Sequence, residues 1–203
     1  MAVFSRRLIL AAAAALTLAA CERGNSPPRA GFEGVDITGA DYARELNLPD
    51  AEGRQRSLQD FRGKVTVVFF GYTQCPDVCP TTMVELAEVK RQLGADGERI
   101  QGVFVSVDPE RDTPEILKAY VANFDPSFVA LRGTPEQTKA VAKQFKVFYN
   151  KVAGQTPTSY TIDHTAGSYV FDAQGRVRLF TRYGAGLDKL KHDLKILLDE
   201  KAA

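Results

Sequence analysis

The sequence carries no excess of charge of either sign: 26 Lys and Arg stand against 25 Asp and Glu, a formal net charge of +1. There is no electrostatic footprint for nucleic acid, and none is expected as a partner. Low hydrophobicity is also lacking. With 203 residues, 44% of them hydrophobic and 25% charged, the chain suits one globular domain with a real core rather than a disordered segment. Internal repeats are absent, and so is any low-complexity tract beyond the first twenty residues. The longest apolar run, Leu8 to Ala20, has thirteen residues, short of the roughly 20 that a spanning helix needs. Cysteine and histidine are scarce: Cys21, Cys75 and Cys79, with His164 and His192.

What is there begins with a leader. Arg6 and Arg7 form a positive n-region before the apolar run, which ends "LAAC", Leu18 to Cys21. Small residues before a cysteine at the end of such a run resemble a bacterial lipobox. Residues 1–20 are therefore expected to be a lipoprotein signal peptide, with Cys21 acylated after cleavage. A plain secretory signal with a chance cysteine is the other reading. Removing residues 1–20 takes two positive charges and leaves a formal charge of −1. Residues 21–31, with "ERGNSPPRAG" from Glu22 to Gly31, read as a flexible tether. Residues 32–203 form the folded domain, in a compartment outside the cytoplasm that permits disulfides.

The domain alternates strand and helix patterns. An N-terminal β-hairpin turns at Asp50 to Gly53. "KVTVVFFGY", Lys64 to Tyr72, is apolar on both faces, the pattern of a covered central strand. Thr82 to Leu93 has helical spacing, with Thr82 and Glu85 fitting a capping box. Ile100 to Val107 is a strand. Thr113-Pro114 opens a helix whose buried stripe is Ile116, Leu117, Tyr120 and Val121. Phe128 to Leu131 is a short strand, and Thr134-Pro135 starts a helix reaching about Phe148. Ser168 to Asp172 and Val177 to Thr181 pair as a hairpin, and Leu187 to Leu198 is the closing helix. Parallel crossovers followed by an antiparallel pair predict an α/β fold: a thioredoxin-like mixed β-sheet with helices on both faces. A further hairpin, "KVFYNKVAGQTPTSYTI", is inserted before the His164 loop.

Cys75 and Cys79 lie four positions apart, between the central strand and its helix, so both sulfurs point one way if the segment is helical. Pro80 disfavours helical geometry at Cys79. Three chemistries compete. A structural disulfide is geometrically allowed, but its closed loop is short and stabilises little. A catalytic dithiol is the second, although redox motifs of this fold usually leave two residues between the cysteines, not three. Such oxidoreductases also carry a cis-proline before the antiparallel strand, and "TIDHTAG" has none. The third is a metal site. In a thioredoxin-like fold His164 faces the cysteine loop, and two thiolates with one imidazole suit a soft ion such as Cu(I), or Cu(II) in a trigonal site. Zinc prefers a fourth ligand. A histidine at a strand start also serves purely structural roles, and the residues alone leave these alternatives open.

"GYTQCPDVCPTTM", "FVSVDPERDTPEILKAY" and "IDHTAGSYVFDAQG" resemble the Sco/SenC family across essentially the whole domain. That resemblance implies a thioredoxin-like copper-binding assembly factor for cytochrome c oxidase, with Cys75, Cys79 and His164 as copper ligands. It implies delivery of copper to the CuA centre of oxidase subunit II, or reduction of that subunit's cysteines, in which case Cys75 and Cys79 are the catalytic dithiol. With the lipid on Cys21, the place implied is the periplasmic face of the bacterial inner membrane. A peroxidase reading fits poorly, because Tyr72 stands where peroxiredoxins carry threonine. A redox sensor that binds copper only incidentally stays open.

Asp163 and Asp108 are candidates for supporting the ligands. Asp108, Arg111 and Asp112 lie in the loop after the second strand, at the ligand edge, where they guide a partner or buffer the site's charge, or else form a charged loop leading into a helix, with Asp112 near its cap. Phe70 and Tyr72 are core or site packing. Lys143, Lys146 and Lys151 flank the inserted hairpin, whose aromatics Phe148 and Tyr149 are expected to be exposed, as a docking surface or a satellite core. His192 is expected in solvent. No helix face is left apolar, so a monomer is expected.

Overall fold

β4 (Val65–Gly71) and β5 (Ile100–Ser106) are buried at every position and run parallel at the centre of a six-stranded sheet. The computed structural model describes residues 31–156 and 159–200. The expected signal segment, Cys21 and most of the tether lie outside the described residues. Across the sheet the order is β1 (Val35–Asp36), β10 (Val177–Arg182), β9 (Gly167–Phe171), β4, β5 and β6 (Val129–Leu131). β4, β5 and β6 are parallel, while β9, β10 and β1 pair antiparallel. β2 (Asn47–Pro49) and β3 (Gln55–Ser57) form the N-terminal hairpin, closed by Gly53 N–H donating to the Asp50 carbonyl at 2.9 Å. β7 (Tyr149–Ala153) and β8 (Tyr160–His164) form the inserted hairpin as a separate two-stranded sheet.

Among the described residues four α-helices complete the fold: α1 (Val78–Leu93), α2 (Pro114–Ala122), α3 (Pro135–Gln144) and α4 (Leu187–Asp199). Successive strand residues point to opposite faces, and the phenylalanines of β4 define the two sides. Phe69 stacks toward Phe104 at 6.1 Å, and Phe104 meets Tyr120 of α2 at 5.3 Å. Cys79 of α1 lies against Gly71 on that side, and α4 packs on α1. Phe70 points the other way, to Phe145 just past α3 at 5.0 Å, and Phe145 also meets Tyr169 and Phe171. Helices therefore cover both faces, as expected of a thioredoxin-like sheet. Phe69, Phe70, Phe104, Phe145 and Phe171 are fully buried, each contributing roughly 1.5–3 kcal/mol on transfer from water.

Four local expectations need correction. The helix after the cysteines starts at Val78, not Thr82, and the Thr82 hydroxyl donates to the Val78 carbonyl at 2.8 Å instead of capping. Pro80 is tolerated there because N–H groups in the first turn have no intrahelical partner to lose. In α2 the buried stripe is Leu117 and Val121 with half-buried Tyr120, and Ile116 is exposed because it lies about 100° round the helix from Leu117. Its start is as expected, with Thr113 accepting from Ile116 N–H. α3 stops at Gln144 rather than near Phe148, since Lys146 takes a left-handed φ of 53° that no α-helix continues through. Tyr149 is half-buried against the core, while Phe148 is exposed. Among the described residues, no helix is long and apolar enough to cross a membrane.

Because β4 and β5 are parallel and in register from Val65/Ile100 to Gly71/Ser106, their carboxyl ends finish together. Val107 N–H donates to the Gly71 carbonyl at 2.8 Å, so the loop after each strand emerges at one edge, where open α/β sheets place their ligands.

Candidate metal centre

The chain leaves β4 at Gly71 and turns at once, with Cys75 N–H donating to the Tyr72 carbonyl at 3.2 Å. Gly71 is required by close approach: a Cβ there would stand 2.8 Å from both Cys79 Sγ and Phe69 Cε1. α1 begins three residues after Cys75, which puts Cys79 in its first turn. The non-helical turn through Pro76 and Asp77 brings the Cys79 nitrogen to 3.4 Å from Cys75 Sγ. Both cysteines are free thiols, Cys75 half-buried and Cys79 fully buried.

The pair shares its protons unequally. The Cys79 thiol donates to Cys75, and the N–H groups of Asp77 and Cys79 and the His164 ring add to it. Together these outweigh desolvation and lower Cys75 to about 5. The same hydrogen bond, with burial, raises Cys79 above the ordinary thiol range. The apo site therefore holds one thiolate and one thiol at neutral pH.

His164 ends β8 and brings Nε2 to 3.4 Å from Cys79 Sγ. Its Nδ1 sits 3.1 Å from the Thr165 carbonyl oxygen. A carbonyl only accepts, so Nδ1 carries a proton there, and Nε2 is the ring nitrogen that faces the sulfurs. Phe69 at 5.8 Å and Tyr72 at 6.0 Å meet the ring near perpendicular and fix its plane. The two sulfurs and the ring nitrogen lie within 4.8 Å of one another. Among the described residues this is the one group of three or more His, Cys, Asp and Glu close enough to share an ion.

Two buried networks hold the parts in place. Asp112 is fully buried and accepts from the Ser106 hydroxyl at 2.6 Å, the Thr73 hydroxyl at 2.6 Å and the Thr73 N–H at 3.2 Å. It thereby ties the cysteine loop to the end of β5, and burial raises its own carboxyl despite those donors. Asp108, also buried, accepts from Arg111 Nε at 2.5 Å and from the Tyr160 hydroxyl at 2.8 Å. Arg111 lies over the Tyr160 ring at 3.6 Å and donates to the Tyr160 carbonyl and to Gln74 of the cysteine loop. Its Nη2 is buried with no partner among the described residues. One guanidinium thus spans the cysteine loop and the hairpin that carries His164. Tyr72 adds a third tie, its hydroxyl accepting from Ile162 N–H at 3.2 Å.

The remaining candidates lie elsewhere. Asp163 is exposed, on the opposite side of β8 from Ile162. His192 is exposed on α4 with Nε2 3.1 Å from the Gly31 carbonyl. Lys151 pairs with Glu110 at 2.6 Å, and Lys146 lies over Tyr42. Sequence reasoning placed Asp108, Arg111 and Asp112 together at the ligand edge, as a partner guide or charge buffer or as a helix-entry loop; the structure makes Asp112 an acceptor that fastens the cysteine loop. Tyr160, Thr73 and Gln74 gave no signal of their own.

Fold and site together define a thioredoxin-like domain with a Cys₂His donor set suited to a soft ion. The sequence model of the SCO1/SenC family matches residues 35–199, and the chain belongs to that family. An SCO2-like protein of Rickettsia felis is 34% identical over 169 residues, 83% of this chain and 82% of its own. The human mitochondrial SCO2 homolog is 37% identical over 68% of this chain, which spans 52% of that relative. Among solved structures, Bradyrhizobium japonicum ScoI with copper bound superposes with a TM-score of 0.68 at 38% identity, over 75% of this chain and 97% of that one. Apo Sco1 from Thermus thermophilus gives a TM-score of 0.72 at 37% identity, over 84% and 99%.

Proposed function

We propose that this protein is a copper metallochaperone for cytochrome c oxidase, carrying one copper on Cys75, Cys79 and His164 to the CuA centre of subunit II. The observation that carries the reading is the convergence of two sulfurs and an imidazole nitrogen within 4.8 Å, in a chain similar to a Sco protein solved with copper bound. The donors fit the cargo. Thiolates are soft ligands, Cu(I) accepts three of them or their imidazole equivalents, and Cu(II) takes trigonal Cys and His sites. The Cys75 thiol is lowered to about 5, and the imidazole turns Nε2 toward the sulfurs. We further propose that Cys21 carries the lipid and that the domain works at the periplasmic face of the bacterial inner membrane as a monomer. In support, the leader has the layout of a lipoprotein signal, and a similar structure from Bacillus anthracis is described as a SCO1/SenC family lipoprotein.

A second reading rests on the ionised Cys75. Its thiolate attacks a disulfide of the client's copper site, and Cys79 then displaces the client. Two electrons pass to the client dithiol, a Cys75–Cys79 disulfide remains, and an external thiol reductant must reset it. Both roles need the reduced pair.

The test is copper stoichiometry and absorption of the reduced protein beside Cys75→Ala and His164→Ala. One copper per chain is expected, with thiolate-to-Cu(II) charge transfer changed or lost in both variants. Weak binding indifferent to the substitutions would overturn the chaperone reading, and rapid copper-free reduction of a client disulfide would put the second in its place.

A further inference from the structure

Beside the site, a groove of about 720 Å³ runs between α3 and the inserted hairpin, within the size range of binding clefts. Its floor is apolar, built on the buried Val107, Ala142 and Val147. Phe148 forms one wall and is 65% exposed, the most exposed of the large hydrophobic side chains described. Two exposed lysines stand on the rim, Lys139 and Lys143, one helical turn apart on α3. The groove's acids are already matched: Glu110 by Lys151, and Asp108 by Arg111. Lys139 and Lys143 form no ion pair among the described residues, so the rim carries uncompensated positive charge.

We propose that this groove docks an acidic segment of the copper acceptor, one that sets an apolar side chain against Phe148 and carboxylates against Lys139 and Lys143. The inference rests on the chaperone reading and adds the recognition surface. Charge complementarity chooses the occupant, since an apolar cleft with a positive rim steers and orients an acidic partner. Continuity with the metal centre gives the location its use. Phe148 N–H donates to Thr165 Oγ1 at 3.0 Å, Thr165 N–H donates to the Phe148 carbonyl at 2.9 Å, and Tyr149 pairs in register with His164. A segment seated on Phe148 presses on the strand whose partner carries the metal-binding ring.

The experiment measures association of the full-length, copper-loaded protein in detergent with the copper-free soluble domain of oxidase subunit II, at low and high salt. Lys139→Glu with Lys143→Glu, and separately Phe148→Ser, lie on the surface and leave the three ligands untouched. The proposal expects each to weaken association at least about tenfold, the usual scale of a central interface contact. It also expects the salt dependence to reverse in the lysine variant, because salt screens the repulsion between its acidic rim and the acidic partner, and copper to stay at one per chain in all. Association unchanged by either set would place docking elsewhere and leave the chaperone reading standing. No association of the wild type would overturn both readings. Self-association of the wild type, abolished by the same substitutions, would assign the groove to a second copy of this chain instead.

Discussion

His164 Nε2 lies 3.4 Å from Cys79 Sγ, although 85 residues separate them in the chain. Neither residue sits on the element that positions the other. Cys79 is placed by the first turn of α1, and His164 by the end of a hairpin that belongs to no part of the main sheet. The contact is therefore a property of how the two are held, and several substitutions can probe that holding separately from the donors.

The Cys75 thiol of the metal-free, reduced protein is expected to alkylate with a midpoint near pH 5, while Cys79 resists at neutral pH. The thiolate is the nucleophile, and Cys79 keeps its proton because it donates it to Cys75. Mass mapping after brief iodoacetamide treatment between pH 4 and 9 reads this out. Equal labelling of both thiols at pH 7 would contradict the shared proton.

Stability of the reduced apo protein should rise with pH between about 5 and 9. The folded Cys75 ionises near 5 and the unfolded one near 9, so in that window the unfolded chain binds the extra proton at this residue. The contribution is complete above 9 and lost as pH falls through 5. The raised Cys79 acts against folding only above its unfolded value. Denaturant midpoints compared with those of Cys75→Ser isolate this contribution.

Asp112→Ala should cost about 2–4 kcal/mol, since it strands the Ser106 and Thr73 donors in a dry site. Asp112→Asn keeps two acceptor lone pairs and should cost less. Urea unfolding gives both numbers, and an Ala variant as stable as wild type would remove the network from the account of the cysteine loop.

Arg111→Ala should loosen the hairpin against the cysteine loop, because it removes donors to Asp108, Gln74 and Tyr160 at once. Charge-assisted bonds of this kind are worth roughly 1.5–3 kcal/mol each in the low range of burial. Amide exchange should accelerate across Tyr149–Ala153 and Tyr160–His164 and stay unchanged in β4 and β5, with Arg111→Lys intermediate. Uniform acceleration over the whole domain would instead mark Arg111 as a general core residue.

Gly71→Ala should destabilise by about 1–3 kcal/mol and shift the Cys79 thiol, since the new methyl meets Cys79 Sγ and Phe69 at 2.8 Å and Phe104 at 3.0 Å. Copper affinity and unfolding midpoint should fall together. A variant with wild-type values of both would mean the helix shifts freely there.

The sequence by itself determined the central strands, because only a covered strand is apolar on both faces, as Lys64 to Tyr72 is. It determined two helix starts, because Thr113-Pro114 and Thr134-Pro135 cap locally. The four-residue spacing put Cys75 and Cys79 close together, but not through the helical turn it suggested: α1 starts at Val78, and a non-helical turn through Pro76 and Asp77 brings Cys75 to the Cys79 N–H. Local signals failed where two offers compete: Thr82 with Glu85 is a good cap in isolation, but Val78 starts the helix because packing of Cys79 beneath Gly71 extends it backwards through Pro80. The end of α3 was hidden for a similar reason, as the left-handed turn at Lys146 serves the burial of Phe145 and Val147 and has no sequence signature. Only the tertiary structure decided the rest of the site. How His164 reaches Cys79, how Asp112 holds Thr73, and how Arg111 spans Gln74 and Tyr160 all depend on contacts between residues dozens of positions apart. Spacing and periodicity describe neighbours along the chain, whereas hydrogen-bond partners and desolvation are set by neighbours in space.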